Sequence, residues 1–383
     1  MISTPLSPEL IHGVAEVERV DRGLRPHRLP LHVRERDIDP QLRLMEAQPS
    51  GARIAVRTEA QRIELDVQST RVGYRTMERP RGAIDIVVDD AHIRTHPLTE
   101  GDAIELDLAT GGSSTTAGGV DHIVLDSLPT GRKTVEFWLP HNEAVDLIGL
   151  RSDAPVEPSP KTGRIWVHHG SSISQGSNTT HPTGTWPVIA AHRAGARLHN
   201  LGFGGSALID PFLARVIRDT PADLISLKLG INVVNLDAMR LRSFVPAVHG
   251  FLDTIRDGHP TTPLLLVSPL YCGIHENTPG PGSIDVSTIG TDTVQFIATG
   301  TPDDITQGRL TLRVIRDALA EISASRRDDP NLHYLDGLKL YAAADTVIHP
   351  LPDALHPGPE AHRLIGERFA ELAFGTGGAF ASA

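Results

Sequence analysis

The chain has 383 residues, enough for two domains and for a core that needs no staple to hold it together. Hydrophobic residues at 39% and charged residues at 22% exclude a disordered chain, and a single cysteine, Cys272, excludes an intramolecular disulfide. A net charge of −11 with only 4% aromatic residues lacks the cationic, stacking footprint of a nucleic-acid binder, and no apolar run reaches the roughly 18 residues of a membrane span. The first residues hold no apolar stretch of signal-peptide length either, so the expectation is a cytoplasmic protein with neither nucleic acid nor membrane as partner.

From about Arg43 to Leu150 apolar residues alternate with polar ones. The series runs through Ile54 and Val56, then Ile63, Leu65 and Val67, then Ile84, Ile86 and Val88, then Ile104, Leu106 and Leu108. Ile123 and Leu125, Val135, Phe137 and Leu139, and Val145 and Leu147 complete it. Period two over short runs separated by glycine and proline predicts half-buried antiparallel strands, hence an all-β, jelly-roll-like sandwich over residues 1–155.

Three prolines between Ala154 and Pro160 mark a linker, placed at 156–163. Beyond it the pattern changes to strands at 164–167, 198–201, 222–229, 262–267 and 332–335, with helical periodicity at 186–194, 211–218, 244–256, 310–325 and 359–374. Strand and helix in alternation predict an α/β domain over 164–383 with a five-stranded parallel sheet. The segment from Cys272 to Ile305 has no period and is rich in glycine and proline, and a loop of that length is expected to help build a substrate pocket.

In parallel α/β sheets ligands bind at the carboxyl ends of the strands. The segments there are Gly170-Ser171-Ser172-Ile173, Asn200-Leu201-Gly202-Phe203-Gly204-Gly205, Gly230-Ile231-Asn232 and Asp353-Ala354-Leu355-His356. Acyl transfer needs a nucleophile, a base, a group that orients the base and donors for the oxyanion. Ser172 fits the first role, His356 the second and Asp353 the third. The backbone N–H groups of Ser172 and Gly205 and the Asn232 side chain fit the fourth.

These four segments, in this order, resemble the sequence blocks of the GDSL/SGNH family of esterases and acyl hydrolases, over about Lys161 to Phe374. The resemblance implies a flavodoxin-like three-layer α/β/α domain that works through a serine acyl-enzyme without a cofactor or metal. Two positions depart from the family pattern: Ser171 stands where the family has Asp beside the nucleophile, and Val233 where it has Asp after the oxyanion Asn. The layout, a β-sandwich ahead of such a domain, is also similar to that of acyltransferases in the family that move an aryl acyl group, such as salicylyl from its coenzyme A thioester, to a polyketide hydroxyl. The expected partners are therefore an acyl thioester or ester donor and a small-molecule hydroxyl acceptor, and antibiotic biosynthesis is the expected setting.

Other readings compete with this one. Hydrolysis of carboxylic esters or deacetylation of carbohydrate would use the same residues, although Tyr74, Phe137 and Trp138 alone make a thin platform for sugar in the sandwich. A binding protein with no catalysis remains, and an activated-serine probe separates it from the enzymes. Gly202-Phe203-Gly204-Gly205-Ser206-Ala207 also fits a dinucleotide fingerprint, but it follows the second strand and lacks the acidic ribose partner. His168 and His169 are adjacent on a strand, point to opposite faces and do not chelate one metal together.

Overall fold

A computed structural model of the protein describes residues 1–36, 38–74, 79–107, 110–291 and 293–381. The chain divides into two compact units, Met1–Thr162 with Thr180–Gly184, and Gly163–Thr179 with Thr185–Ala383.

The first unit contains two sheets. One runs in the order Ser113–Thr116, Asp102–Leu106, Ile63–Tyr74, Ala144–Ser152, Gly23–His27, Glu16–Val20, with Ile2–Thr4 and Asp121–Leu125 pairing beside the path. The other runs Val156–Pro158, Arg53–Thr58, Lys133–Trp138, Ala83–Val88, Ala91–Pro97, with Ile11–His12 beside it. Ile54, Val56, Ile63, Leu65, Val67, Ile84, Ile86, Val135, Phe137, Val145 and Leu147 enter one buried cluster drawn from both sheets, which is why their alternation reads as strands.

Three details differ from the sequence expectation. The strand expected around Ile104 and Leu106 is Asp102–Leu106, with both residues half-buried, while Leu108 lies outside the described residues. The linker expected at 156–163 begins as an edge strand: Val156–Pro158 pairs antiparallel with Arg53–Thr58 and the Ser159 amide donates to the Ala55 carbonyl (3.1 Å). Proline is tolerated there because an edge strand has one side free of ladder bonds. Finally, Thr180–Gly184 belongs with this unit rather than with the α/β unit, pinned by Asp85. The buried Asp85 carboxylate accepts from the Thr183 amide (2.8 Å), the Thr183 hydroxyl (2.6 Å) and His181 Nδ1 (2.7 Å).

The second unit is a three-layer α/β/α domain on a parallel sheet in the order Arg197–Gly202, Ile165–Gly170, Leu224–Lys228, Leu264–Val267, Leu332–Leu335. Leu224–Lys228 and Leu264–Val267 are buried at every position, as strands covered by helices on both faces must be. Helices Trp186–Ala194 and Pro359–Phe369 pack on each other, as do Pro211–Asp219 and Leu241–Gly258. The strand order reverses at Ile165–Gly170, so a crevice opens at the carboxyl ends of that strand and its neighbours. The expected helix at 359–374 is α-helical over Pro359–Phe369 and continues as a wider π turn over Ala370–Phe374.

Helix Leu312–Ser325 starts on a buried cap, where Thr311 Oγ1 accepts from the Val314 amide (3.2 Å). Thr311→Ala should lower stability by about 1 kcal/mol, read as a lower urea midpoint at unchanged slope. An unchanged midpoint would show that the cap contributes nothing.

Candidate active site

Beyond Gly170 the chain turns into a single helical turn, Ser172–Gln175. Ser171, at the position of the family's Asp, caps this turn: its side chain accepts from the Ile173 amide (3.4 Å) and its carbonyl from the Ser174 and Gln175 amides (2.9 and 3.0 Å). The Ser172 turn is therefore oriented without a carboxylate at that position. Ser172 stands at the start of the turn, 9% exposed.

The second strand ends against this turn at a backbone distance that only glycine permits. A Cβ on Gly202 would lie 2.6 Å from the Gln175 amide nitrogen. Asn200 ties the two segments, its Nδ2 donating to the Ser174 carbonyl (2.9 Å) and its Oδ1 accepting from the Gly202 amide (3.0 Å). The Gly204 amide donates to Gln175 Oε1 (2.8 Å), and Gly205 follows with φ 72°, a left-handed conformation that suits glycine.

His356 and Asp353 come from the loop ahead of the last helix. Ser172 Oγ lies 2.9 Å from His356 Nε2, and His356 Nδ1 lies 2.7 Å from Asp353 Oδ2. Asp353 Oδ1 accepts from the amides of Leu355 (3.0 Å) and His356 (2.6 Å), and Asn178 Nδ2 donates to Oδ2 (3.1 Å). Burial alone would raise the Asp353 carboxyl, but the hydrogen bond and charge of His356, together with the two amides, hold it below its usual value. An ionised Asp353 accepts a hydrogen bond from Nδ1–H, which fixes the proton on Nδ1 and leaves Nε2 as an acceptor facing the Ser172 hydroxyl. A hydroxyl, an accepting imidazole and a carboxylate in line can activate the oxygen as a nucleophile.

Asn232 is buried in the short helix Ile231–Asn235, and its Oδ1 accepts from the Ala207 amide (3.1 Å), two residues beyond Gly205. That bond fixes which end of the amide is the acceptor. Val233, at the position of the family's second Asp, is fully buried and serves the core.

The segment from Cys272 to Ile305 carries a two-stranded hairpin, Gly282–Ile284 with Phe296–Ala298. Its periodicity is invisible in sequence because each strand has only three residues. The Phe296 amide donates to the Asp353 carbonyl (2.9 Å), and its ring meets the His356 ring edge-on at 5.7 Å.

Sequence reasoning missed Asn178, a loop residue with φ 67° that contacts Asp353. It also passed over the structural use of His168, whose two ring nitrogens meet Ser226 Oγ (2.7 Å) and Ser174 Oγ (2.8 Å) and so tie the Ser172 turn to the sheet. Burial, reinforced by the nearby charge of Lys228, holds His168 well below its usual value and keeps it neutral. His169 turns to the other face, with Nδ1 on the Leu201 carbonyl (2.7 Å). In the first unit Asp85, His92 and His181 place three ligand-type atoms within 4.8 Å of one another, a grouping that alternation in sequence conceals.

The profile of the GDSL-like lipase/acylhydrolase family matches residues 169–364, just over half of the chain. No curated protein matches the chain significantly by sequence. Among solved structures, the salicylyl-acyltransferase SsfX3 from a tetracycline biosynthetic pathway is similar with a TM-score of 0.76 and 26% identity, over 96% of this chain and 94% of that one. A protein of Bacteroides ovatus described as a GDSL-like lipase follows with a TM-score of 0.66 and 17% identity, over 94% and 93%. A family two carbohydrate esterase from Cellvibrio japonicus has a TM-score of 0.56 and 13% identity, over 96% and 95%. The last two are likenesses of fold. Among the described residues no helix is long and apolar enough to cross a membrane.

Proposed function

The chain belongs to the GDSL-like lipase/acylhydrolase family, a family of acyl-transfer enzymes, and from that premise we propose that it forms an acyl-enzyme at Ser172 and passes the acyl group to the hydroxyl of a small molecule. The observation that carries the proposal is the line of hydrogen bonds from Asp353 through His356 to Ser172. In the first half-reaction Ser172 Oγ attacks the carbonyl of an acyl thioester or ester and its proton passes to His356 Nε2. The tetrahedral oxyanion is held by the amides of Ser172 and Gly205 and by Asn232 Nδ2. Its collapse expels the thiol or alcohol, which leaves with the proton from His356. In the second half the acceptor hydroxyl gives its proton to His356 and attacks the acyl-enzyme, and the returning proton restores Ser172. Asp353 orients the imidazole throughout and stabilises its charged form.

What favours an alcohol over water as acceptor is the similarity to a salicylyl-acyltransferase along nearly the full length of both chains. The proposed donor is an aryl acyl thioester such as salicylyl-CoA, the acceptor a bulky polyketide-type hydroxyl, and the setting antibiotic biosynthesis. Such thioesters are intracellular, so the same reading places the chain in the cytoplasm. A second reading, hydrolysis of carboxylic esters or deacetylation of carbohydrate, is favoured by the fold shared with family two carbohydrate esterases. The test is to supply salicylyl-CoA with and without a panel of phenolic and polyketide alcohols and to quantify ester against free acid. Ester formed at the expense of free acid supports transfer. Free acid whose yield no acceptor changes, together with fast cleavage of simple esters, would favour the hydrolase.

Asn232→Ala should lower kcat by about 10²–10³ with little change in KM, because an oxyanion donor acts mainly in the transition state. A raised KM at unchanged kcat would make Asn232 a ground-state binding residue instead.

A further inference from the structure

Among the charged side chains at the carboxyl end of the sheet, one that this chemistry does not use is fully enclosed. Lys228 ends the strand Leu224–Lys228, four residues before Asn232, and is 2% exposed. Among the described residues its Nζ has no carboxylate, carbonyl or hydroxyl in hydrogen-bond or ion-pair reach. Burial lowers its ammonium to about 8, with no neighbouring anion to offset the effect. At neutral pH it is still mostly protonated. A lone buried cation weakens a fold, and an apolar side chain of the same length would pack there at less cost. Stability therefore does not account for it.

The side chain faces a small cavity whose lining includes Ile173, Ile231, Cys272, Tyr341, Leu355 and Pro357. Ile173 follows Ser172, Ile231 precedes Asn232, and Leu355 and Pro357 flank His356. The cavity thus lies against neighbours of the nucleophile, an oxyanion donor and the base. It has room for about one water-sized group, the size of a single substituent rather than a ring. Tyr271 also lines the cavity, and two further ionisable groups of the wall are neutral: burial pushes the Cys272 thiol and the Tyr341 hydroxyl each up to about 12. The Tyr341 hydroxyl is already committed to the His349 carbonyl. Lys228 is the one cation in the wall, and as a charged donor it is better suited than the Tyr271 hydroxyl to meet an oxygen that enters this cavity.

We propose that Lys228 is the specificity-determining residue of an acyl pocket, donating from Nζ to an acceptor oxygen carried beside the carbonyl of the acyl group. The donors selected are oxygen-substituted acyl groups, with a hydroxyl, keto or carboxylate oxygen near the reacting carbon, over plain hydrocarbon ones. This rests on the acyl-enzyme reading above. A buried polar donor discriminates strongly, because an analogue without the oxygen leaves it unpaired.

The experiment compares the native enzyme with Lys228→Met, using the N-acetylcysteamine thioesters of 2-hydroxybenzoate and benzoate as donors. The native enzyme should prefer the 2-hydroxybenzoyl donor in kcat/KM. Lys228→Met should shrink that preference by about 10- to 100-fold, the worth of one hydrogen bond to a charged group, with most of the loss on the hydroxylated donor. Calorimetry with sodium 2-hydroxybenzoate and sodium benzoate reads the same selectivity without turnover, and the difference between the two anions should vanish in Lys228→Met. A preference and a binding difference that are the same in both proteins would overturn the proposal. Failure of both thioesters to acylate Ser172 would overturn the catalytic reading instead, and the calorimetric difference would then decide the Lys228 proposal by itself.

Discussion

Ser172→Ala should reduce turnover of any ester or thioester donor by about 10⁴-fold or more, equivalent to roughly 5 kcal/mol of lost transition-state stabilisation. The substitution removes one hydroxyl, whose oxygen lies 2.9 Å from His356 Nε2. Nothing in the packing is asked to move, because the Ser172 turn is held by the Ser171 cap and by Asn200 and Gly202 of the neighbouring strand. The thermal midpoint should therefore stay close to that of the native protein. What activity remains would come from the oxyanion donors and from binding. Near-native turnover in Ser172→Ala would remove the serine from the mechanism.

Asp353→Asn should cost about 10⁴-fold in kcat, comparable to losing the nucleophile, although it changes no shape. Both Asp353 oxygens act as acceptors: Oδ1 for two backbone amides, Oδ2 for His356 Nδ1 and Asn178 Nδ2. An asparagine that keeps the two amide bonds must aim its NH₂ at His356. The imidazole then accepts at Nδ1 and carries its proton on Nε2, where it faces Ser172 as a donor and takes no proton from it. The pH–rate profile adds a check. The Asp353 carboxyl lies below its usual value, so it stays ionised across the neutral and mildly acidic range, and the acid limb of the native profile should not reflect its titration. A variant within about tenfold of native kcat would show that Asp353 does not set the tautomer.

Both predictions concern residues that the sequence pattern alone picks out, and the reason is topological. A parallel sheet brings the carboxyl ends of its strands to one edge, so Ser172, Gly205, Asn232 and the Asp353–His356 pair converge although the chain separates the first from the last by 184 positions. The alternation of Ile54 to Leu147 is legible because one face of each strand is buried. Where burial is one-sided in neither sense, the signal fails. Ala91–Pro97 is largely exposed along its length and shows no period. Val156–Pro158 hides behind its prolines. Asn178 and Phe296 reach the site from loops, where no periodicity points to them. Lys228 is the most instructive case: within the apolar strand Leu224–Lys228 a lysine reads as a strand end reaching solvent, and only the fold shows it enclosed.

The most direct test of the account is to find where the acyl group sits. The enzyme is mixed with an aryl thioester, quenched in acid, digested with trypsin and sequenced by tandem mass spectrometry. The account predicts the acyl increment on the peptide spanning residues 165–193, localised by fragmentation to Ser172 and absent from Ser172→Ala. An increment on Cys272 or any other side chain, or product formed with no serine adduct under conditions that trap it, would contradict the account.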